Sequence, residues 1–257
     1  IERPRYGELR KGHAVLVYVT EPFSRSRLVK VDRYSAQNPD HFIALKLNRI
    51  ERFQTGIYDY ALMTSVFSDP SSGFQPVKSS FTAQEWCGHV YEEVRHLSGG
   101  TEIETRSYFE GETKTVRLDA ALHSEDALFV TARGLMQGGP QAHKGGSVRM
   151  LAASSRRRLR HQPAVAFETT VTWSPLKTVT VPAGQYQVRS MSWKRQDGVQ
   201  CVMDVSIRAP WSIVGWRCTD GEAAKLTGTT RGAYWNQVRS GDEALLKVLG
   251  LRAPARP

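Results

Sequence analysis

From Val199 to Cys218 the chain reads V-Q-C-V-M-D-V-S-I, then R-A-P-W, then S-I-V-G-W-R-C, with apolar side chains at alternate positions along both arms. Alternation with period two marks a strand that buries one face. An Ala209-Pro210 turn between two such arms predicts an antiparallel hairpin that sets Cys201 opposite Cys218, Met203 opposite Trp216 and Val205 opposite Val214. Opposed residues in an antiparallel pair have Cα atoms about 4.5 to 5.5 Å apart, within the reach of a disulfide. The register therefore points to a Cys201–Cys218 bridge and, through it, to an oxidising compartment. The alternative is two buried free thiols packing as small hydrophobes.

The same period recurs along most of the chain. Ala14 to Thr20 is a valine-rich run; Ile43, Leu45 and Leu47 alternate with Ala44 and Lys46; Val165, Phe167, Thr169, Val171 and Trp173 share one side of a long strand. Apolar phase slips between Tyr186–Val188 and Met191–Trp193, which predicts a bulge near Ser190. Glycine turns at 110–112, 182–184, 196–198 and 219–222 join neighbouring segments tightly enough to require antiparallel pairing. One helix is predicted over 124–137, with Ser124 as N-cap, Glu125 and Asp126 in its first turn, and Leu128, Ala132 and Leu135 on one face. A short helix is predicted over 242–249.

These elements predict a mainly β protein: a curved antiparallel sheet or open half-barrel with one or two helices packed on it. The 257 residues read as a single β-rich domain, with a first strand set over 1–120, the helix at 124–137, a flexible link over 137–163 containing Q-G-G-P-Q-A-H-K-G-G-S, and a second strand set over 164–235. No repeated βαβ pattern points to a doubly wound nucleotide fold, and no run approaches the roughly 18 apolar residues of a spanning helix.

A net charge of +10 favours anionic partners. The densest cluster is S-S-R-R-R-L-R-H, where Arg156, Arg157, Arg158 and Arg160 form the candidate anion- or partner-binding patch, because arginine forks grip phosphate and carboxylate bidentately. The competing reading is a solvated loop or charged edge strand. Nucleic acid is not expected, since no aromatic rings interleave these arginines.

The stretch Q-E-W-C-G-H-V-Y-E-E places Cys87 two residues before His89. On a strand from Thr82 to Val94 the two side chains would share a face nearly 7 Å apart, too far for an easy thiolate pair. On a helix, His89, Glu92, Glu93 and His96 would line one stripe, without the order of a zinc helix. Cys87 and His89 thus stand as a possible functional cluster, with no metal, no cofactor and no catalytic residue assigned. The tryptophans are expected to fill the sheet core, or to line a β-cavity able to hold a lipid.

Six segments carry a resemblance: P-R-Y-G-E-L-R-K-G from Pro4, I-Y-D-Y-A-L-M-T-S-V-F from Ile57, S-F-T-A-Q-E-W-C-G-H-V-Y from Ser80, S-E-D-A-L-F from Ser124, V-P-A-G-Q-Y from Val181 and A-Y-W from Ala233. Through them the chain resembles uncharacterised bacterial secreted proteins of a domain-of-unknown-function family, whose related domains resemble the half-barrel of periplasmic lipoprotein carriers. The resemblance implies a carrier-like fold and a location in the periplasm or elsewhere in the cell envelope, peripheral to the membrane. The chain opens at Ile1 without a methionine, as a processed or trimmed chain does.

The resulting expectation is a non-enzymatic binding protein holding a lipid-like or anionic ligand in its concave face. The alternatives are an extrinsic scaffold subunit on a membrane protein complex, with an anionic membrane surface as a further contact, and a thiol or metal enzyme centred on Cys87 and His89.

Overall fold

A computed structural model describes residues 1–120, 122–138 and 145–252. The first half is a meander of β1 (Glu2–Arg5), β2 (Glu8–Ser24), β3 (His41–Thr55), β4 (Tyr58–Asp69), β5 (Gln75–Glu85), β6 (Gly88–Leu97), β7 (Gly100–Ser107) and β8 (Lys114–Leu118). The second half carries β9 (His123–Ser124), α1 (Leu128–Gln137), β10 (Gly146–Leu151), α2 (Ser154–Leu159), β11 (Ala166–Trp173), β12 (Lys177–Val181), β13 (Gly184–Arg195), β14 (Gln200–Ser206), β15 (Ile213–Cys218) and β16 (Ala223–Lys225). All belong to one open sheet, ordered β8-β7-β6-β5-β4-β3-β2-β1-β16-β15-β14-β13-β11-β10-β9, with β12 on β13. The pairing of β1 with β16 joins the two halves.

Hydrogen bonds do not close the sheet, but curvature brings its ends together. Val94 and Ile103 of the first half pack with Leu122 and Leu151 of the second, and Leu118 joins them. The chain from β8 to β9 is short enough to fix this meeting, and the Thr101 hydroxyl donates to the Ala120 carbonyl while accepting from the Leu122 N–H. The main core lies on the concave face. There α1 sits between Leu47 and Val66 on one side and Met191, Trp193, Met203, Val205 and Trp216 on the other.

The predicted β14–β15 hairpin forms, with Cys201 opposite Cys218 and Met203 opposite Trp216. A register shift between Asp204 and Val205 moves the third pair, so Val205 faces Ile213 rather than Val214. Cys201 and Cys218 are disulfide-bonded and Cys87 is free. Thiol titration of the denatured, unreduced protein should therefore find one free thiol per chain; three would remove the bridge.

Several expectations are corrected. The irregularity placed near Ser190 lies in the facing chain. Met191 pairs with Trp173 of β11 and Val188 with Lys177 of β12, so three residues, Ser174 to Leu176, bulge against Arg189 and Ser190. Ile43 is 41% exposed whereas Ala44 is fully buried, because the chain between β2 and β3 folds over the outer face and covers Phe23, Phe42 and Ala44 with Leu28.

Ser124 does not cap a helix. It lies in β9, and α1 starts at Leu128 without a side-chain cap. The helix is buried around most of its girth, with Leu128, Phe129, Val130, Ala132, Gly134 and Met136 all enclosed. The Phe74 ring lies so close to Gly134 that a Cβ there would come within 2.1 Å of it. The stretch expected as a link carries β10 and α2, while its residues 139–144 lie outside the described residues. The 242–249 segment is helical, but of the tighter 3-10 type.

Candidate functional site

The S-S-R-R-R-L sequence forms α2 inside the curved sheet, and this overturns the expected surface patch. Arg156, Arg157 and Arg158 are all buried; of the four, Arg160 alone keeps a substantially exposed side chain, at 39%. The helix lacks a local side-chain cap. Instead, the Glu125 carboxylate accepts from the Ala153 N–H at 2.8 Å and the Asp126 carboxylate from the Ser154 N–H at 2.9 Å. The two acids expected at the start of α1 thus hold the start of α2.

Each inward arginine meets carboxylates delivered by strands or turns. Arg156 bonds Glu125 at 2.5 Å, Asp220 at 2.6 Å and Glu222 at 3.3 Å, with a guanidinium nitrogen 3.2 Å from Cys218 Sγ. Arg157 bonds both oxygens of Glu92 on β6, at 3.0 and 2.5 Å. Arg158 reaches Glu112 at 3.1 Å. From β1, Arg3 bonds Glu51 at 2.6 Å and Glu222 at 2.7 Å. Arg49 on β3 forms an ion pair with Glu51 at 2.9 Å, without hydrogen-bond alignment, and donates to the Ser155 hydroxyl at 3.0 Å. The indole N–H groups of Trp193 and Trp216 donate to Glu125 and Glu222.

Charges taken out of water are tolerable only when paired and hydrogen-bonded. Burial drives the Glu222 carboxyl upward, but the Arg3, Arg156 and Arg49 guanidiniums outweigh it and hold the group down at about 2. Burial likewise opposes ionisation of Glu92, and Arg157 brings it below the usual carboxylate range. Asp126 goes the other way, its pKa raised by burial that Arg49 does not offset. The cavity among Arg49, Glu125, Arg156, Trp193, Trp216 and Glu222 is about 10 Å³, room for about one water molecule. Chemically this is a clamp binding α2 to both halves of the sheet, with most of its arginine donors engaged and Arg49 Nε and Arg158 Nε left without a hydrogen-bond acceptor.

The Cys87 region is not a strand but a turn. Gln84 pairs with His89 and Glu85 with Gly88, leaving Trp86 and Cys87 as the two-residue loop between β5 and β6. Gly88 is required because Tyr108 lies on it: a Cβ there would sit 2.4 Å from the ring. No hydrogen bond joins the Cys87 thiol to the His89 imidazole among the described residues, and no group of three or more His, Cys, Asp or Glu side chains is placed to hold a metal. His89 instead lines an open outer-face groove with Gln84, Tyr91 and Arg106.

This turn belongs to a larger feature. In a meander, alternate turns fall at the same end, so the β1–β2, β3–β4, β5–β6 and β7–β8 loops form a row, with successive tips about 10 Å apart at two strand spacings. Each presents a large apolar side chain: Tyr6 at 58% exposure, Ile57 at 69%, Trp86 at 64% and Tyr108 at 69%. Contacts behind the row hold the rings in place. Tyr6 and Tyr60 share a hydroxyl hydrogen bond of 3.1 Å, Trp86 leans on Tyr58 with ring centroids 5.6 Å apart, and Phe109 sets its edge against His161. Sequence reading placed Trp86 in a strand and missed the row. Its signal at three of the tips was an aromatic or isoleucine beside or next but one to a glycine, in Tyr6-Gly7, Gly56-Ile57 and Trp86-Cys87-Gly88; Tyr108 stands three positions before Gly111.

No family model, curated protein or solved structure matches the chain.

Proposed function

We propose that the protein is a non-catalytic binding protein of the cell envelope, extrinsic to the membrane, which docks through the sheet end carrying Tyr6, Ile57, Trp86 and Tyr108. The observation that carries this is the exposure of four large apolar side chains on short, hydrogen-bonded hairpins. Apolar groups held this openly mark interaction sites, and aromatic anchors dominate such contacts.

A lipid-like ligand in the concave face is the competing reading. That face is occupied by α1 and the ion-pair clamp, whereas ligand pockets run to several hundred Å³. Carriage would require α1 to withdraw, exposing Leu128, Phe129, Val130 and Met136, and this favours docking from the rim. The envelope location draws support from the Cys201–Cys218 bridge, because disulfides persist in oxidising compartments.

Fractionation of cells producing the protein tests the reading. The Trp86→Ala/Tyr108→Ala variant should lose association with the native membrane fraction by about tenfold or more, as loss of two anchors predicts, while its unfolding midpoint stays near that of the parent. Undiminished association of a folded variant would refute docking through this end.

A further inference from the structure

We infer that the partner met by this end is the interfacial region of a phospholipid bilayer, into which the four hairpin tips insert. The inference rests on the docking reading above and names its partner.

Three features point to lipid rather than to a protein surface. The first is shape. The apolar groups cap hairpin tips in a narrow row about 30 Å long, three intervals of two strand spacings, joined along its length where Trp86 leans on Tyr58 and Tyr108 on Gly88. A protein interface packs a broad desolvated core, whereas a bilayer interface closes around a narrow projecting ridge. The second is residue type. Tyrosine and tryptophan suit a boundary where one part of the ring is apolar and another wet. Here the Tyr6 hydroxyl turns back to Tyr60 and Arg5, and Leu9, 57% exposed, adds an aliphatic group beside the same tip.

The third feature is the charge just behind the tips, which is balanced to within one positive charge. Glu8 pairs with Arg10 at 2.8 Å, Asp59 with Arg52 at 3.9 Å, and Arg106 with Glu104 at 2.9 Å. Glu112 is held by Arg158 at 3.1 Å and His161 at 2.7 Å. Among the described residues, Glu85 and Glu110 are left without ion pairs there, against Lys11, Lys114 and Arg5, whose guanidinium bonds the Tyr60 and Tyr6 hydroxyls and the Leu159 carbonyl. Attraction at this end therefore comes from burial of the side chains rather than from charge, although the chain as a whole carries +10. Zwitterionic headgroups suffice, and salt has little leverage.

Flotation with protein-free phosphatidylcholine vesicles tests this. The intact protein should float with them, with affinity changing by less than about threefold between 0.1 and 0.5 M salt. Trp86→Ala, Tyr108→Ala and Ile57→Ser should each lower partitioning by about tenfold, the effect of removing roughly 55 Å² of buried apolar surface. Ile57→Ser is the safeguard against misfolding, since that side chain is 69% exposed. Trp235→Ala is the control, because β16 runs antiparallel to β1 and carries the following chain away from the tips; it should leave partitioning unchanged.

Shallow-brominated lipid should quench the emission that Trp86→Phe removes. If the parent fails to float while tip variants still lose the native membrane fraction, the partner is a protein: the lipid assignment falls and the docking reading stands. If it floats only with anionic vesicles and salt releases it, insertion is refuted in favour of adsorption by charge. If it floats and tip substitutions change nothing, the inserting surface lies elsewhere and both proposals fall.

Discussion

Replacing Arg157 by methionine is expected to lower the free energy of unfolding by about 3–5 kcal/mol, the usual cost of removing one partner from a buried pair. The guanidinium is 2% exposed and its Glu92 partner fully enclosed. Without Arg157, the Glu92 carboxylate keeps Thr105 at 3.4 Å and Arg158 at 3.9 Å, too little to stabilise a charge away from water, and it takes up a proton. Arg157 also donates to the Ala152 carbonyl at 3.0 Å, so the segment entering α2 loses an anchor.

The double variant Glu92→Leu/Arg157→Met is expected to recover most of that loss. Buried ion pairs and well-packed apolar replacements of similar volume are often close in stability. Urea titrations of parent, both single variants and the double variant give the coupling directly. A single variant costing under about 1 kcal/mol, the level of a solvent-exposed pair, would mean that the pair is not buried and that α2 does not lie inside the sheet.

Acid is expected to weaken the protein in two stages. His96 is pushed down to about 4 by burial and its Nε2 has no hydrogen-bond partner; burial lowers His123 as well. Below the ordinary histidine pKa of about 6.5 the unfolded chain binds protons that the folded chain refuses, so stability is complete above that value and falls as pH drops toward 4. The loss from His96 alone is on the order of 3 kcal/mol once protonation is complete.

In the second stage Glu92 and Glu222, held below the ordinary carboxylate range, contribute stability present above about 4.5 and lost as pH falls further, for Glu222 through about 2. Asp126 opposes this second stage: its raised pKa means that the folded state accepts its proton first. Denaturant midpoints at pH 7.5, 5.5 and 4.5 should descend, and His96→Gln should flatten the segment between 6.5 and 4. A profile level across that range would show His96 to be solvated.

Local chemistry made the strands legible, and long-range placement escaped it. The β14–β15 hairpin and its disulfide were readable because period-two alternation and a proline turn fix which residues face each other; only the shift at Asp204 was hidden, since Ile213 and Val214 are both apolar and buried and the spacing does not tell which of them faces Val205. The Cys87 turn was invisible because neither Trp86 nor Cys87 is a turn-former.

The arginine run was misread for a related reason. A cluster of like charges looks solvent-facing until its partners are known: Glu92 lies 65 positions from Arg157, and Glu125, Asp220 and Glu222 lie 31, 64 and 66 positions from Arg156, all on other elements. In the same way Ser124 resembles a cap by sequence, but β9 pairing with β10 uses that backbone, and the acids that follow serve α2 instead of α1.

Hydrogen exchange on the protein bound to its native membrane fraction bears most directly on docking from the rim over a filled concave face. Added protection is expected at residues 6–9, 56–58, 86–88 and 108–111, with α1 and β13–β15 exchanging as in the free protein. Protection gained or lost along α1 and those strands, with the four tips unchanged, would place the ligand inside the sheet and contradict the account.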